Sequence, residues 1–161
     1  MAEVSTLTEV RSDRVATLDA AQSETHAARR GAILLIEDRD DVRQGLTQLL
    51  ALHGFVVTDT PDAQRGLQEL ALEPLGFALV ILDLLLPGPM SGADFRHHQL
   101  AESNLAGIPT IVITATDVRS DERALLRADA WLDKPFRFDD LLELVKRYVV
   151  PEAGGLTAAA E

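Results

Sequence analysis

The sequence predicts an α/β fold in which a doubly wound, five-stranded parallel sheet carries helices on both faces. Short apolar runs of strand length alternate five times with segments whose apolar residues recur at helical spacing. The run Ala78–Leu82 is apolar throughout, which is typical of a strand that is buried on both faces. Polar side chains follow the ends of these runs, where open parallel sheets bind their ligands. These observations indicate βαβ units with right-handed crossovers.

The boundaries of the elements follow from apolar periodicity and from turn and cap signals. The five expected strands are Ala32–Ile36, Phe55–Thr58, Ala78–Leu82, Thr110–Ile113 and Ala130–Leu132. The five expected helices run from Val42 to His53, from Asp62 to Leu70, from Ser91 or Asp94 to Leu100, from Asp121 to Arg127 and from Phe138 to Val149. Turn and stop signals between them are Gly54, Pro74, Gly76, the sequence Pro87-Gly88-Pro89 and Pro151.

Composition bounds the class of protein. The chain has 161 residues, is 47% hydrophobic and carries a formal net charge of −11, with 15 lysine and arginine residues. Such a charge is atypical of a nucleic-acid-binding surface, which needs a basic face. The absence of cysteine excludes disulfides, thiolate metal sites and thiol nucleophiles. No apolar run reaches a membrane-spanning length, so we expect a cytoplasmic protein without a membrane or nucleic-acid partner.

The expected domain is flanked by two polar segments. Residues 1–30 form an N-terminal extension of mixed charge, expected to be a partly disordered or helical arm. Weak helical spacing from Val4 to Leu18 keeps open a helix that docks on a partner or on a second copy. The folded domain is expected over residues 31–150, and residues 151–161 are expected to form a flexible tail.

Charged and hydroxyl side chains follow four of the five predicted strands. Glu37 and Asp38 follow the first strand, Asp83 the third and Thr114 the fourth, while Asp133 leads to Lys134 after the fifth. The second strand has no obvious polar residue at its end. Because the carboxyl ends of parallel strands meet at one edge of the sheet, we expect these groups to converge there.

This set of groups predicts metal-assisted phosphoryl chemistry. Neighbouring carboxylates repel unless a cation lies among them, and oxygen ligands without histidine or cysteine suit Mg²⁺ or Mn²⁺. Asp83 can then serve as a nucleophile toward phosphorus, with the metal ion and Lys134 neutralising charge. The sequence lacks a nucleotide-binding loop, so the phosphoryl group must come from another protein or a small donor.

These residues resemble the receiver domain of two-component response regulators, the CheY-like family. The resemblance rests on Glu37-Asp38, on Asp83 followed by LLLPG, on Thr114-Ala115 and on the run from Asp133 to Phe136, and it covers about Ala32 to Val149. It implies the flavodoxin-like strand order 2-1-3-4-5. It also implies that Asp83 is the phospho-acceptor and that Mg²⁺ is held by Asp38, by Asp83, by the carbonyl of Leu85 and, mainly through water, by Glu37.

The same resemblance assigns the remaining roles. Lys134 would pair with the phosphoryl group, and its bond to Pro135 is expected to be cis. Thr114 would move to bond the phosphoryl oxygen, making room for the aromatic residue of the fifth strand, here Trp131, to turn inward. Partners would be a sensor histidine kinase or a histidine phosphotransfer protein, and a target bound by the face formed by the fourth helix, fifth strand and fifth helix. A homodimer is a further option.

The chain departs from the family pattern in four places. Asp83 and Gly92 are nine positions apart, one more than usual, because Pro89 is extra. The twenty positions from Thr114 to Lys134 predict a shortened fourth helix. Trp131 is bulkier than the usual tyrosine or phenylalanine, so an inward rotamer needs more room. The apolar side chain of Leu85 cannot orient an attacking water, which predicts slow self-dephosphorylation.

The expected function is therefore that of a stand-alone receiver whose only enzymatic content is self-phosphorylation and self-dephosphorylation at Asp83. It would signal by phosphorylation-dependent binding or by passing the phosphoryl group onward. One alternative is a pseudo-receiver, a scaffold for interaction or dimerisation that never carries phosphate. The other is a Mg²⁺-dependent phosphohydrolase, which commonly has a second aspartate two positions after the nucleophile, where this chain has Leu85.

Overall fold

Five parallel strands form one sheet in the computed structural model, which describes residues 28–152. The strands are β1 Ala32–Ile36, β2 Val57–Thr60, β3 Phe77–Asp83, β4 Thr110–Thr114 and β5 Ala130–Asp133. Their order in the sheet is β2-β1-β3-β4-β5, and all pairs are parallel. The predicted doubly wound fold and its strand order are confirmed.

A helix follows each strand, and the helices cover both faces of the sheet. They are α1 Asp40–Leu52, α2 Ala63–Leu72, α3 Gly92–Ala101, α4 Ser120–Leu126 and α5 Phe138–Tyr148. One apolar cluster joins α1 and α5 to the sheet, and a second joins α2, α3 and α4 to the opposite face. Helix α4 has only seven residues, as the short spacing between Thr114 and Lys134 predicted.

Strand β3 lies at the centre of the sheet, and all seven of its residues are buried. Successive side chains of a strand point to opposite faces, so Leu79 and Ile81 belong to one cluster while Val80 and Leu82 belong to the other. This double burial explains the unbroken apolar run that the sequence shows. It also fixes the position of Asp83 at the strand's end, because the backbone before it cannot shift without disturbing both clusters.

Strand β2 begins two residues later than predicted. Gly54 has a φ of +85°, and the amide of Phe55 donates to the carbonyl of Leu50, so this stretch still closes the end of α1. Phe55 is buried in the cluster of α1 and α5, which accounts for its apolar character. The strand proper therefore extends to Asp59 and Thr60, and it does carry polar residues at its end.

Helix α3 begins directly against the end of β3. The Ser91 hydroxyl accepts from the Asp94 amide, and the Asp94 carboxylate accepts from the Ser91 amide, a capping box that starts the helix. At Gly92, a Cβ atom would lie 2.3 Å from the Asp83 carbonyl oxygen and 2.6 Å from the Cα of Leu84. Only glycine permits this approach, so the loop after Asp83 is held close to its strand despite the extra Pro89.

The ends of the described region are joined to each other. Arg29 pairs with Val149 in a short parallel bridge, and the amide of Glu152 donates to the carbonyl of Gly54. Most of the predicted arm over residues 1–30 and most of the predicted tail over 151–161 lie outside the described residues. Within residues 28–152, none of the helices is long and apolar enough to cross a membrane.

Candidate functional site

Asp83 presents its carboxylate at the carboxyl edge of the sheet, the edge formed by the carboxyl ends of the strands. The residue is only 4% exposed. Its Oδ1 accepts a hydrogen bond of 2.9 Å from the backbone amide of Leu85, and its Oδ2 accepts one of 2.7 Å from Lys134 Nζ. A buried carboxylate requires such donors, and each oxygen keeps a second lone pair.

Glu37 brings a second buried carboxylate to the same edge from the end of β1. It is 2% exposed, and its Oε2 accepts a 2.9 Å hydrogen bond from Lys134 Nζ. Its Oε1 accepts from the backbone amide of Arg39 at 3.1 Å. Burial raises the pKa of the Glu37 carboxyl, and the nearby Asp83 raises it further, although the bonds from Lys134 and Arg39 oppose this shift.

Lys134 thus bridges two acids that lie 97 and 51 positions before it in the chain. Its amide donates to the carbonyl of Thr114 at 2.9 Å, and the Lys134–Pro135 bond is cis, as expected. Burial by itself lowers the pKa of the ammonium group, but the bonds to Asp83 and Glu37 outweigh it and the pKa is raised. The lysine is therefore held in its charged form.

Asp38 completes a group of three acids. One carboxylate oxygen from each of Glu37, Asp38 and Asp83 lies within 4.8 Å of the other two. Mg²⁺ binds oxygen at about 2.1 Å, so two ligands of one ion are at most about 4.2 Å apart, and small shifts of these side chains would bring the three oxygens around one ion. The donors are all hard oxygens, which favours Mg²⁺ or Mn²⁺ over softer metals.

Leu85 and Thr114 lie beside this group with different contacts. The Leu85 side chain is 51% exposed, while its backbone amide faces Asp83. Thr114 is buried at the end of β4, next to β3. Its hydroxyl shares a 2.9 Å hydrogen bond with the Thr116 hydroxyl and accepts from the Thr116 amide. The hydroxyl is therefore engaged with the following loop and not with Asp83.

Trp131 lies on β5 and packs against the cluster of α2, α3 and α4. The guanidinium carbon of Arg123, from α4, is 4.5 Å from the centre of its ring, a cation–π contact. Arg123 also forms a 3.4 Å ion pair with Asp133 and donates to the carbonyl of Val118. The indole is held under α4 by these contacts and is only partly buried.

The structure brings together four of the predicted site residues through side-chain proximity: Glu37, Asp38, Asp83 and Lys134. Leu85 contacts Asp83 through its backbone amide. Thr114 stands at the adjacent strand end with its hydroxyl bonded elsewhere, and Trp131 belongs to a separate contact with Arg123.

Sequence reasoning missed two residues beside the acids. Arg43, in the first turn of α1, donates to the Glu37 carbonyl and to Asp59, which lies on β2. Placing β2 two residues too early hid Asp59 as a strand-end acid. The available signal was an arginine one turn into the helix that follows Glu37-Asp38.

The sequence reasoning also missed a buried polar network behind α4. Arg96 of α3 is buried and donates to the carbonyls of Leu126 and Arg127, at the end of α4. It also donates to Gln99 and to Thr110, both fully buried. This network holds the carboxyl end of α4 to the core. The helical spacing of apolar residues in this segment gives no sign of it.

The family model described as "Response regulator receiver domain" matches residues 33–146. The transcriptional regulatory protein HprR of Escherichia coli is 36% identical over 116 residues, which cover 71% of this chain and 49% of HprR. The chain spans about half the length of the curated relatives it matches.

Two solved structures are similar over most of their length. A CheY-like receiver domain protein from Methanospirillum hungatei is 27% identical with a TM-score of 0.65, covering 73% of this chain and 92% of its own. The response regulator TrrA of Thermotoga maritima, solved in complex with Mg²⁺-BeF, is 28% identical with a TM-score of 0.64, covering 73% and 97%.

Proposed function

The chain belongs to the receiver-domain family of two-component response regulators, and from that premise we propose that it accepts a phosphoryl group on Asp83 and signals through phosphorylation-dependent protein binding or phosphorelay. The observation that carries the proposal is the bridge from Lys134 to both Asp83 and Glu37, with Asp38 beside them. Three acids and one lysine from the ends of β1, β3 and β5 thus lie close together at the carboxyl edge of the sheet.

In the proposed reaction, a carboxylate oxygen of Asp83 attacks the phosphorus of a phosphohistidine or of a small acyl phosphate. A phosphorus–oxygen bond to Asp83 forms, and the bond to the donor atom breaks, with its electron pair leaving on the donor. The amide of Leu85 and the ammonium of Lys134 orient the attacking carboxylate. Lys134 then pairs with a negatively charged oxygen of the transferred phosphoryl group.

The site would hold Mg²⁺ or Mn²⁺ through the carboxylates of Asp38 and Asp83 and the carbonyl of Leu85. Glu37 would contact the ion mainly through water. When bound, the ion neutralises charge on the transferring phosphoryl group. Lys134 supplies a further positive charge beside Asp83, and its raised pKa keeps that charge present.

We further propose that Thr114 and Trp131 change position when Asp83 is phosphorylated. Thr114 would exchange its bond with Thr116 for one with the phosphoryl oxygen. Trp131 would then shift relative to α4, altering the face formed by α4, β5 and α5, to which a target protein binds. The phosphoryl donor would be a sensor histidine kinase or a histidine phosphotransfer protein.

Intact mass after incubation with Mg²⁺ and acetyl phosphate tests the proposal. The chain should gain one phosphoryl group, and the gain should vanish in Asp83→Asn and after chelation of the metal. Asp117→Asn removes an exposed acid from the loop after β4 and should leave the gain intact.

Absence of the adduct with a folded chain would contradict phosphorylation. It would favour a phosphate-independent scaffold, in which the bridge from Lys134 to Asp83 and Glu37 serves only to hold three strands together. Turnover of a phosphate ester would instead support a phosphohydrolase.

A further inference from the structure

Among residues 28–152, Arg43 makes several side-chain hydrogen bonds close to the metal-site acids but does not bond to the carboxylates of Glu37, Asp38 or Asp83. Its side chain is 11% exposed although it lies on the first turn of α1. Nη1 donates to the carbonyl oxygen of Glu37 at 2.9 Å and points to that of Asp38 at 3.5 Å. Nε donates to Asp59 Oδ2 at 2.9 Å, and Nη2 contacts Asp40.

The two carbonyls belong to the residues whose side chains enter the acidic group. Glu37 and Asp38 form the turn between β1 and α1; the Glu37 amide still donates to the carbonyl of Thr60 on β2 at 3.2 Å, and Asp38 lies beyond this last bond to the sheet. A guanidinium presents its donors in a rigid planar fork, so bonding to this turn fixes the backbone there. Asp59 lies opposite Leu35 in the pairing of β2 with β1, so it anchors the fork to the sheet.

Asp38 depends on this support more than Glu37 does. The Glu37 carboxylate is itself held by Lys134 and by the amide of Arg39. For the Asp38 carboxylate, no hydrogen-bond partner is found among residues 28–152. Its position beside Glu37 and Asp83 therefore follows from the backbone of the turn.

We propose that Arg43, anchored by Asp59, is a positioning residue for the metal ligands: it holds the turn at Glu37 and Asp38 so that their carboxylates meet Asp83. The inference rests on the proposed function, because it assigns a role toward the ion that these acids would bind. Arg43 itself touches neither the ion nor the phosphoryl group.

The sign of the effect separates positioning from simple electrostatics. Removal of a positive charge near acids makes a cation bind more tightly, because a repulsion is lost. Loss of a positioning group makes the cation bind more weakly, because a ligand is no longer in place. Changes in groups that orient metal ligands typically cost about 10- to 100-fold in affinity.

The test is the dissociation constant of Mg²⁺ measured by titration calorimetry on the whole chain at fixed ionic strength. Arg43→Gln should weaken binding by about tenfold. Arg43→Lys keeps the charge but lacks the fork, and it should also weaken binding. Arg65→Gln removes an arginine that pairs with Asp62 on the exposed start of α2, and it should leave binding unchanged.

Urea unfolding of each variant without metal separates this effect from loss of fold, because a purely structural role would lower stability and leave the affinity of the folded fraction intact. Unchanged or tighter Mg²⁺ binding in folded Arg43→Gln overturns the inference. Full binding in Arg43→Lys also overturns it, since the planar fork of donors would then not be needed to place the ligands.

Failure of the proposed function gives a different result. If the unaltered chain binds Mg²⁺ and gains a phosphoryl group while Arg43→Gln does so equally well, only the role of Arg43 falls. If the unaltered chain binds no Mg²⁺, both the metal site and the role of Arg43 fall.

Discussion

The ends of β3 and β5 contribute to the same edge of the sheet but are held very differently. Every residue of β3 is buried, and Asp83 is fixed by two hydrogen bonds and by the close approach of Gly92. No residue of β5 is fully buried, and β5 is the last strand on one side of the sheet. Its Trp131 is covered by one arginine from a helix of seven residues.

The two strands therefore suit different roles: β3 places reacting groups, whereas β5 belongs to a surface that can change its arrangement. Reacting groups must be placed within fractions of an ångström, which a central, doubly packed strand provides. A surface that changes when the site is modified needs two arrangements of similar free energy, which few contacts and partial exposure permit. The β3 end and the lysine that bonds to it should therefore tolerate substitution poorly, whereas the contacts of Trp131 on β5 should tolerate it well, and four predictions test this contrast.

The largest effect is expected for Gly92→Ala. The new Cβ would collide with the backbone of Asp83 and Leu84, and backbone cannot swing aside as a side chain can. We expect unfolding free energy to fall by about 3 kcal/mol in a denaturant titration. Gly45→Ala is the matched control: nothing lies within 4 Å of its Cβ, and alanine in a helix should stabilise by about 0.5 kcal/mol. Equal changes in unfolding free energy in the two variants would show that the close backbone approach at Gly92 does not constrain the end of β3.

Lys134→Met should have the next largest effect. It leaves Glu37 and Asp83 buried beside each other without their shared cation. Because Lys134 is partly exposed, we expect a loss of about 2 kcal/mol without metal, below the range for fully buried pairs.

Added Mg²⁺ should recover more stability in Lys134→Met than in the unaltered chain, since the ion would replace the lost charge. Thermal unfolding with and without Mg²⁺ measures both effects, and the exposed Lys146→Met is the control. If Lys134→Met is as stable as the unaltered chain, the bridge contributes nothing to the fold.

A smaller effect is expected at Leu85, whose side chain faces solvent although its amide serves the site. Leu85→Gln supplies a polar group that can orient water toward the aspartyl phosphate. We expect the half-life of the phosphorylated chain to shorten by about tenfold, or about 1.4 kcal/mol of barrier. Loss of the phosphoryl mass over time measures it, and Leu75→Gln is an equally apolar-to-polar control at an exposed site before β3. An unchanged half-life would refute the role given to Leu85.

The smallest effect on stability is expected for the contact between Arg123 and Trp131 on β5. Arg123→Ala removes the cation–π contact with Trp131 and the ion pair with Asp133, together about 1 kcal/mol at a partly exposed position. Trp131 is the only tryptophan, so fluorescence anisotropy reports its mobility directly. We expect lower anisotropy in Arg123→Ala and no change in Arg119→Ala, which loses only an exposed pair with Asp121. Unchanged anisotropy in Arg123→Ala would show that the indole is held by the core alone.

Much of the fold and of the acidic group could be predicted because both follow from local patterns. Apolar runs and helical spacing identify the elements, and parallel strands place Glu37, Asp38, Asp83 and Lys134 at one edge whatever the details of packing. The start of β2 could not be predicted in this way. Phe55 is apolar because it is buried beneath α1 and not because it belongs to a strand.

The sequence by itself thus determined the order of the elements and which acids and which lysine stand at the strand ends, since these depend on neighbours along the chain. Only the tertiary structure decided that Arg43 reaches Asp59 sixteen positions away, that the Thr114 hydroxyl turns to Thr116, and that Arg123 covers Trp131. Such contacts depend on strand register and on the directions of side chains from different elements, which packing sets and which no local pattern encodes.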